Sequence, residues 1–139
     1  MKVQDVMHKG AIWVEASTPI AKIAKKMRAE DIGAVPIGQN DRIVGMVTDR
    51  DICCKGLSNR HDPRVLTARD VMSKPILYCR ADDEIGSAVA KMKKAKIRRL
   101  PVINAKKRLV GMLSLGDISA KSSKETAGDA LKALAAHHA

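Results

Sequence analysis

The feature that most constrains this chain is that its second half repeats its first. At a shift of 65 positions Asp5-Val6-Met7 falls on Asp70-Val71-Met72, Ile20 on Ile85, Met27 on Met92, Ile32 on Ile97 and Pro36 on Pro101. One extra residue then moves the register to 66. Arg42 now meets Arg108, Val44-Gly45-Met46 meets Val110-Gly111-Met112, Thr48 meets Ser114, and Asp51-Ile52 meets Asp117-Ile118. Matches in this order, with a single insertion placed in a polar turn, mean two copies of one unit. The copies are read as residues 1–66 and 67–120, with 121–139 left as an Ala/Lys-rich helix or tail.

Each copy carries the same run of local signals. Ala11 to Val14 and Ile76 to Cys79 have strand character. Thr18-Pro19 reads as a helix start with a capping hydroxyl and Pro in the first turn, and Asp83-Glu84 reads as its carboxylate counterpart. Ile20, Ile23, Ala24 and Met27 follow at helical spacing, repeated by Ile85, Ala88, Val89 and Met92. Strands Ala34 to Ile37 and Ile43 to Val47, then Leu100 to Ile103 and Leu109 to Leu113, are joined by polar turns. Second helices start near Asp49 and Gly116. The unit is β-α-β-β-α, an α/β (α+β) class. Residues 55–68, with Gly56, Ser58, Asn59, Asp62 and Pro63, form the polar connection.

A unit of about 65 residues buries a small fraction of its surface, so two copies packed sheet to sheet are expected to close one shared core. The chain has no Phe, one Trp and one Tyr, so that core is aliphatic. The same scarcity argues against a single-strand binder, which needs aromatic faces for stacking. No apolar run is long enough to span a bilayer or to form the centre of a signal peptide, which makes the cytoplasm the expected location. Cys53, Cys54 and Cys79 with His8, His61, His137 and His138 match no zinc-ligand spacing, so no metal is expected. Cys53-Cys54 reads as helix and Cys79 as strand.

The stretch richest in chemistry is Gly45-Met46-Val47-Thr48-Asp49-Arg50-Asp51, echoed by Gly111-Met112-Leu113-Ser114-Leu115-Gly116-Asp117. A hydroxyl followed three residues later by a carboxylate, where a strand ends and a helix begins, is a capping-box pattern. The same arrangement suits a nucleotide, because free helix N–H groups meet phosphate and a carboxylate accepts from ribose hydroxyls. The two readings are compatible.

Taken together, the duplicated strand, helix start, strand with Pro, and Gly-x-x-Thr/Ser-x-x-Asp resemble a tandem pair of CBS domains, the paired unit called a Bateman module. The resemblance spans about residues 1–120. It implies two repeats with pseudo-twofold symmetry, often a homodimer. It also implies clefts that draw on both repeats and bind adenosine-containing ligands (AMP first, with ADP, ATP or NAD(H) as alternatives), in a sensor and not a catalyst. Carried over residue by residue, the first cleft uses Thr48 near phosphate or ribose, Asp51 on the ribose and Met46 on the base. Ile76, Leu77 and Ile97 form its wall, and Arg98 and Arg99 reach the phosphate. The second uses Ser114, Asp117 and Met112 with Gly10, Ile12, Ile32 and Gly33. Where one copy has Ile97-Arg98-Arg99 the other has Ile32-Gly33-Ala34, so the first cleft is expected to hold phosphorylated ligand more tightly.

The formal charge of +11 is unevenly spread: residues 1–66 carry 11 basic and 8 acidic groups, and 67–139 carry 15 and 7. Between Ile85 and Gly116 there is no acidic residue. No recognition-helix or finger pattern accompanies these cations, so a nucleic-acid-associated protein ranks second to a nucleotide sensor. An enzyme is not expected: Asp51 and Asp117 lie in separate copies with no His beside them, and no Ser or Cys has a base nearby in sequence. With no catalytic domain in this sequence, the regulated target is expected to be another polypeptide.

Overall fold

The computed structural model describes residues 1–10, 12–40, 42–58, 62–73 and 76–135. In chain order the elements are α1 (Val3–Val6), β1 (His8–Lys9), β2 (Val14–Glu15), α2 (Ile20–Glu30), β3 (Ala34–Gln39), β4 (Arg42–Thr48) and α3 (Asp49–Asp51), which widens into a π-helical stretch at Ile52–Leu57. Then come α4 (Ala68–Val71), β5 (Cys79–Arg80), α5 (Ile85–Ala95), β6 (Arg99–Ile103), β7 (Leu109–Ser114), α6 (Leu115–Lys121) and α7 (Lys124–Ala135). The class is mixed α+β, as the sequence leads one to expect. Two sheets run β2-β3-β4 and β1-β7-β6-β5, with β2 parallel to β3, β5 parallel to β6, and the other pairs antiparallel. No helix among the described residues is long and apolar enough to cross a membrane.

The chain divides into two compact units, Ile12–Ile76 and Met1–Ala11 with Leu77–Ala139. The segment leading each repeat is therefore exchanged: β1 joins the sheet and α1 the buried cluster of the second copy, and α4 joins the cluster of the first. The exchange is the same in both directions. Ala68 N–H donates to the Thr18 carbonyl, Arg69 N–H to Ala16 and Ile20 N–H to Leu66. Val3 likewise donates to Asp83, Gln4 to Ala81 and Ile85 to Met1. These bonds correct the expected caps. Helix α2 follows Pro19, whose side chain has no acceptor to offer, and α5 follows Glu84, which makes no side-chain cap bond; the first helical N–H of each is satisfied by a leader carbonyl. The Asp83 carboxylate instead accepts from Arg80 N–H at 2.9 Å and closes the turn before α5.

The leaders explain the repeated Asp-Val-Met. Asp5 and Asp70 accept from the Lys2 and Thr67 N–H groups at 2.9 and 2.8 Å, capping α1 and α4. Val6 and Val71 are buried, and Met7 and Met72 pack where Gly111 and Gly45 leave no Cβ. A Cβ on Gly111 would stand 2.5 Å from the His8 carbonyl oxygen and 3.0 Å from Met7 Sδ; on Gly45 it would stand 2.8 Å from Met72 Sδ. The glycine of Gly-x-x-Thr/Ser-x-x-Asp is thus required by the crossing leader.

Among the described residues, each unit has its own cluster of buried apolar residues. Ile20, Ile23, Val35, Ile37, Val47 and Val71 centre the first; Val3, Val6, Met92, Leu100, Leu113 and Ile118 centre the second. Along α2, Ala24 is exposed, so its buried stripe is narrower than the expected one. The leading strands are also shorter than expected: Ile12, Trp13, Leu77 and Tyr78 are exposed, and pairing starts only at Val14 and Cys79. Ala11 lies outside the described residues, as do Asn59, His61, His137 and His138. Within the C-terminal segment Lys124–Ala135 form helix α7, which seats Ala130 in the second cluster.

Candidate functional site

The two strand-to-helix junctions are built alike. At the end of β4, Asp51 N–H donates to Thr48 Oγ1 at 3.1 Å, and Thr48 N–H donates to Asp51 Oδ2 at 2.9 Å. At the end of β7, Asp117 N–H donates to Ser114 Oγ and Ser114 N–H to Asp117 Oδ2, both at 3.0 Å. This reciprocal pairing satisfies two backbone donors that a helix start otherwise leaves without partners. It also fixes each hydroxyl and carboxylate in one orientation, at a place where the adjacent Met46 and Met112 are half-buried.

Backbone bonds then bring the start of the preceding strand to each junction. Asp49 N–H donates to the Gly33 carbonyl at 3.0 Å, and Leu115 N–H donates to the Arg98 carbonyl at 2.9 Å. The strand register sets Ala34 opposite Thr48 and Arg99 opposite Ser114. Unit Ile12–Ile76 thus gathers Met46, Thr48, Asp51, Ile32 and Gly33, with Ile12 and Ile76 at its two ends. The other unit gathers Met112, Ser114, Asp117, Ile97, Arg98 and Arg99, together with Gly10 and Leu77. Gly10, at φ 114, has its N–H on the Val110 carbonyl at 3.2 Å.

The carboxylates differ in their surroundings. Asp51 is only 9% exposed, and its Oδ1 lies 3.2 Å from Lys55 Nζ and 3.4 Å from Ser73 Oγ. Asp117 is half-buried. Lys121 stands where the repeat places Lys55, yet among the described residues no ion pair joins Lys121 to Asp117. Lys55 is legible in the sequence as an i,i+4 partner of Asp51. Ser73 is not, because it arrives only with the exchanged leader. A carboxylate has about four lone-pair positions, so Asp51 can keep these partners and still accept from a hydroxyl.

The thiols divide by environment. Cys53 and Cys54 are exposed on the π-helical stretch, whereas Cys79 is buried in β5. Burial pushes the Cys79 thiol up to about 11, against the opposing influence of Lys91. Among the described residues no three His, Cys, Asp or Glu side chains stand together so as to hold a metal ion.

Comparison with known proteins agrees with this construction. The CBS domain model matches twice, over residues 3–55 and 68–124. The chain is 39% identical over 117 residues to hypoxic response protein 1 of Mycobacterium tuberculosis, covering 84% of this chain and 81% of that protein. A crystal structure of hypoxic response protein I with two coordinated zinc ions superposes with a TM-score of 0.79 at 37% identity, covering 88% of this chain and all of that one (100%). The CBS domain pair of protein MJ0100, in complex with 5′-methylthioadenosine and S-adenosyl-L-methionine, superposes with a TM-score of 0.77 at 26% identity, over 86% of this chain and 94% of the other. Two matched repeats, each with its capped junction and exchanged leader, place this chain in the CBS-domain family as a CBS domain pair.

Proposed function

We propose that this chain is a regulatory module that binds an adenosine-containing nucleotide at its strand-to-helix junctions and passes occupancy on to a separate protein. The observation that carries the reading is the duplicated junction, in which Thr48 with Asp51 and Ser114 with Asp117 are held in fixed reciprocal pairs. A carboxylate so oriented is ready to accept from ribose hydroxyls without reorganising, and the half-buried Met46 and Met112 offer apolar surface to a base. Arg98 and Arg99 serve the phosphate, since their planar donor forks match its oxygens. That the CBS pair of MJ0100 holds methylthioadenosine and S-adenosyl-L-methionine supports the adenosine half of this assignment. AMP heads the candidates, with ADP, ATP and NAD(H) behind it. The module acts as a homodimer in the cytoplasm and catalyses nothing itself.

Regulation requires that the ligand favour one arrangement of the protein over another. Phosphate charge beside Arg98 and Arg99 relieves their mutual repulsion and supplies such a bias. Native mass spectrometry of the purified protein, with thermal shifts for AMP, ADP, ATP, NADH and S-adenosylmethionine, tests the reading. A ligand at a hundredfold its Kd adds about 2.7 kcal/mol to the folded state. Salt-dependent duplex binding with no response to any nucleotide would favour the nucleic-acid reading instead.

A further inference from the structure

Helices α2 and α5 are equivalent elements of the two repeats, each of 11 residues and each ending in a left-handed residue, Asp31 at φ 53 and Lys96 at φ 60. The fold makes the same demand at both ends, yet the charges differ. Around the end of α5 stand Lys93, Lys94, Lys96, Arg98 and Arg99; the matching positions at the end of α2 hold Arg28, Ala29, Asp31, Gly33 and Ala34, with Glu30 between them. Packing therefore does not call for the cations. Lys93, Lys94 and Lys96 are exposed, and among the described residues none of them forms an ion pair. Lys91, one turn earlier, is already engaged, donating to the Tyr78 carbonyl at 2.9 Å. A lysine in the last helical turn gains from the helix dipole, but that effect does not extend to five cations crowded within seven residues.

We propose that Lys93, Lys94 and Lys96 at the end of α5 form a docking surface for an acidic segment of a partner protein. Charge complementarity sets the class of partner: an uncompensated, single-sign patch steers and orients an oppositely charged surface. Its confinement separates a short acidic segment from nucleic acid. Helix α5 is only about 16 Å long, and Asp82, Asp83 and Glu84 stand at its other end. A stiff duplex laid along the helix would carry phosphates onto those carboxylates, whereas a few consecutive Glu or Asp fit within the cationic end.

The test uses the full chain and a fluorescein-labelled octaglutamate peptide, read by anisotropy at low salt. The wild type binds it, and the Lys93→Glu/Lys94→Glu/Lys96→Glu variant binds at least about tenfold more weakly. A Lys22→Glu/Lys25→Glu/Arg28→Glu control, which makes the same charge change on α2, keeps most of the affinity. The Gln triple variant at 93, 94 and 96 falls between and guards against misfolding, as does an unchanged urea midpoint. The nucleotide response of the lysine variants stays as in the wild type, so this proposal and the nucleotide reading fail separately. The proposal is overturned by no peptide binding in the wild type, by equal losses in the two Glu triple variants, or by a DNA duplex bound more tightly than the peptide through the same lysines.

Discussion

The glycine that opens each Gly-x-x-Thr/Ser-x-x-Asp run should be sensitive to substitution for a reason unconnected with ligand, and the two copies should differ in degree. Replacing a strand glycine by alanine normally gains about 0.5–1 kcal/mol, because alanine has less backbone entropy to lose. At Gly111 the new Cβ would meet the His8 carbonyl oxygen at 2.5 Å, about 1 Å inside ordinary contact at 3.4 Å. That oxygen belongs to backbone held by the β1–β7 pairing, so relief requires the leader to lift from the sheet. Overpacking against fixed backbone costs about 1–3 kcal/mol, and lifting also loosens Val3 and Val6, both 0% exposed. At Gly45 the nearest atom is Met72 Sδ at 2.8 Å, the far part of a flexible side chain, and the nearest backbone atom, the Ser73 carbonyl oxygen, stands farther off at 3.1 Å, so relief asks for a smaller shift. Gly111→Ala is therefore expected to destabilise by about 2–3 kcal/mol and Gly45→Ala by about 1 kcal/mol. Equilibrium urea unfolding measures both, and limited proteolysis of residues 1–10 reports leader release in Gly111→Ala. A Gly111→Ala protein as stable as wild type, or a Gly45→Ala protein that suffers more, would refute the leader as the cause.

Other consequences are smaller. Thr48→Ala and Ser114→Ala each remove a cap and should lower stability by about 1 kcal/mol in thermal or urea unfolding. A thiol reagent at mildly alkaline pH should label Cys53 and Cys54 quickly and Cys79 only on unfolding. The thiol of Cys79 ionises less readily in the folded chain than in the unfolded one. Its contribution to stability is therefore full below about pH 9 and declines as pH climbs from there toward 11, a fall that Cys79→Ala should lack in a pH series of unfolding curves.

Much of the fold is local and was legible for that reason. The apolar spacing of Ile20, Ile23 and Met27, and of Ile85, Ala88 and Met92, marks α2 and α5, and the apolar runs on either side of the polar turns mark β3, β4, β6 and β7. What escaped is non-local. The register pairs Asp5-Val6-Met7 with Asp70-Val71-Met72, but nothing in either triplet says which copy it packs against. The exchange of leaders in turn decides three other features. It moves the helix caps from Thr18 and Asp83 to leader carbonyls, gives Gly45 and Gly111 their steric role, and brings Ser73 to Asp51. The candidate site follows the same division. Thr48, Asp51, Ser114 and Asp117 were readable because a cap is a four-residue motif, whereas the difference between a latched Asp51 and a more open Asp117 depends on residues far away in the chain.

The most direct test of the account is calorimetric titration of AMP into the wild type, Asp51→Ala, Asp117→Ala and the double variant, with urea midpoints measured alongside. Saturable binding by the wild type, a loss in each single variant and none left in a folded double variant is the predicted result. A wild type that takes up no adenosine-containing ligand, or a double variant that binds AMP as the wild type does, would contradict it.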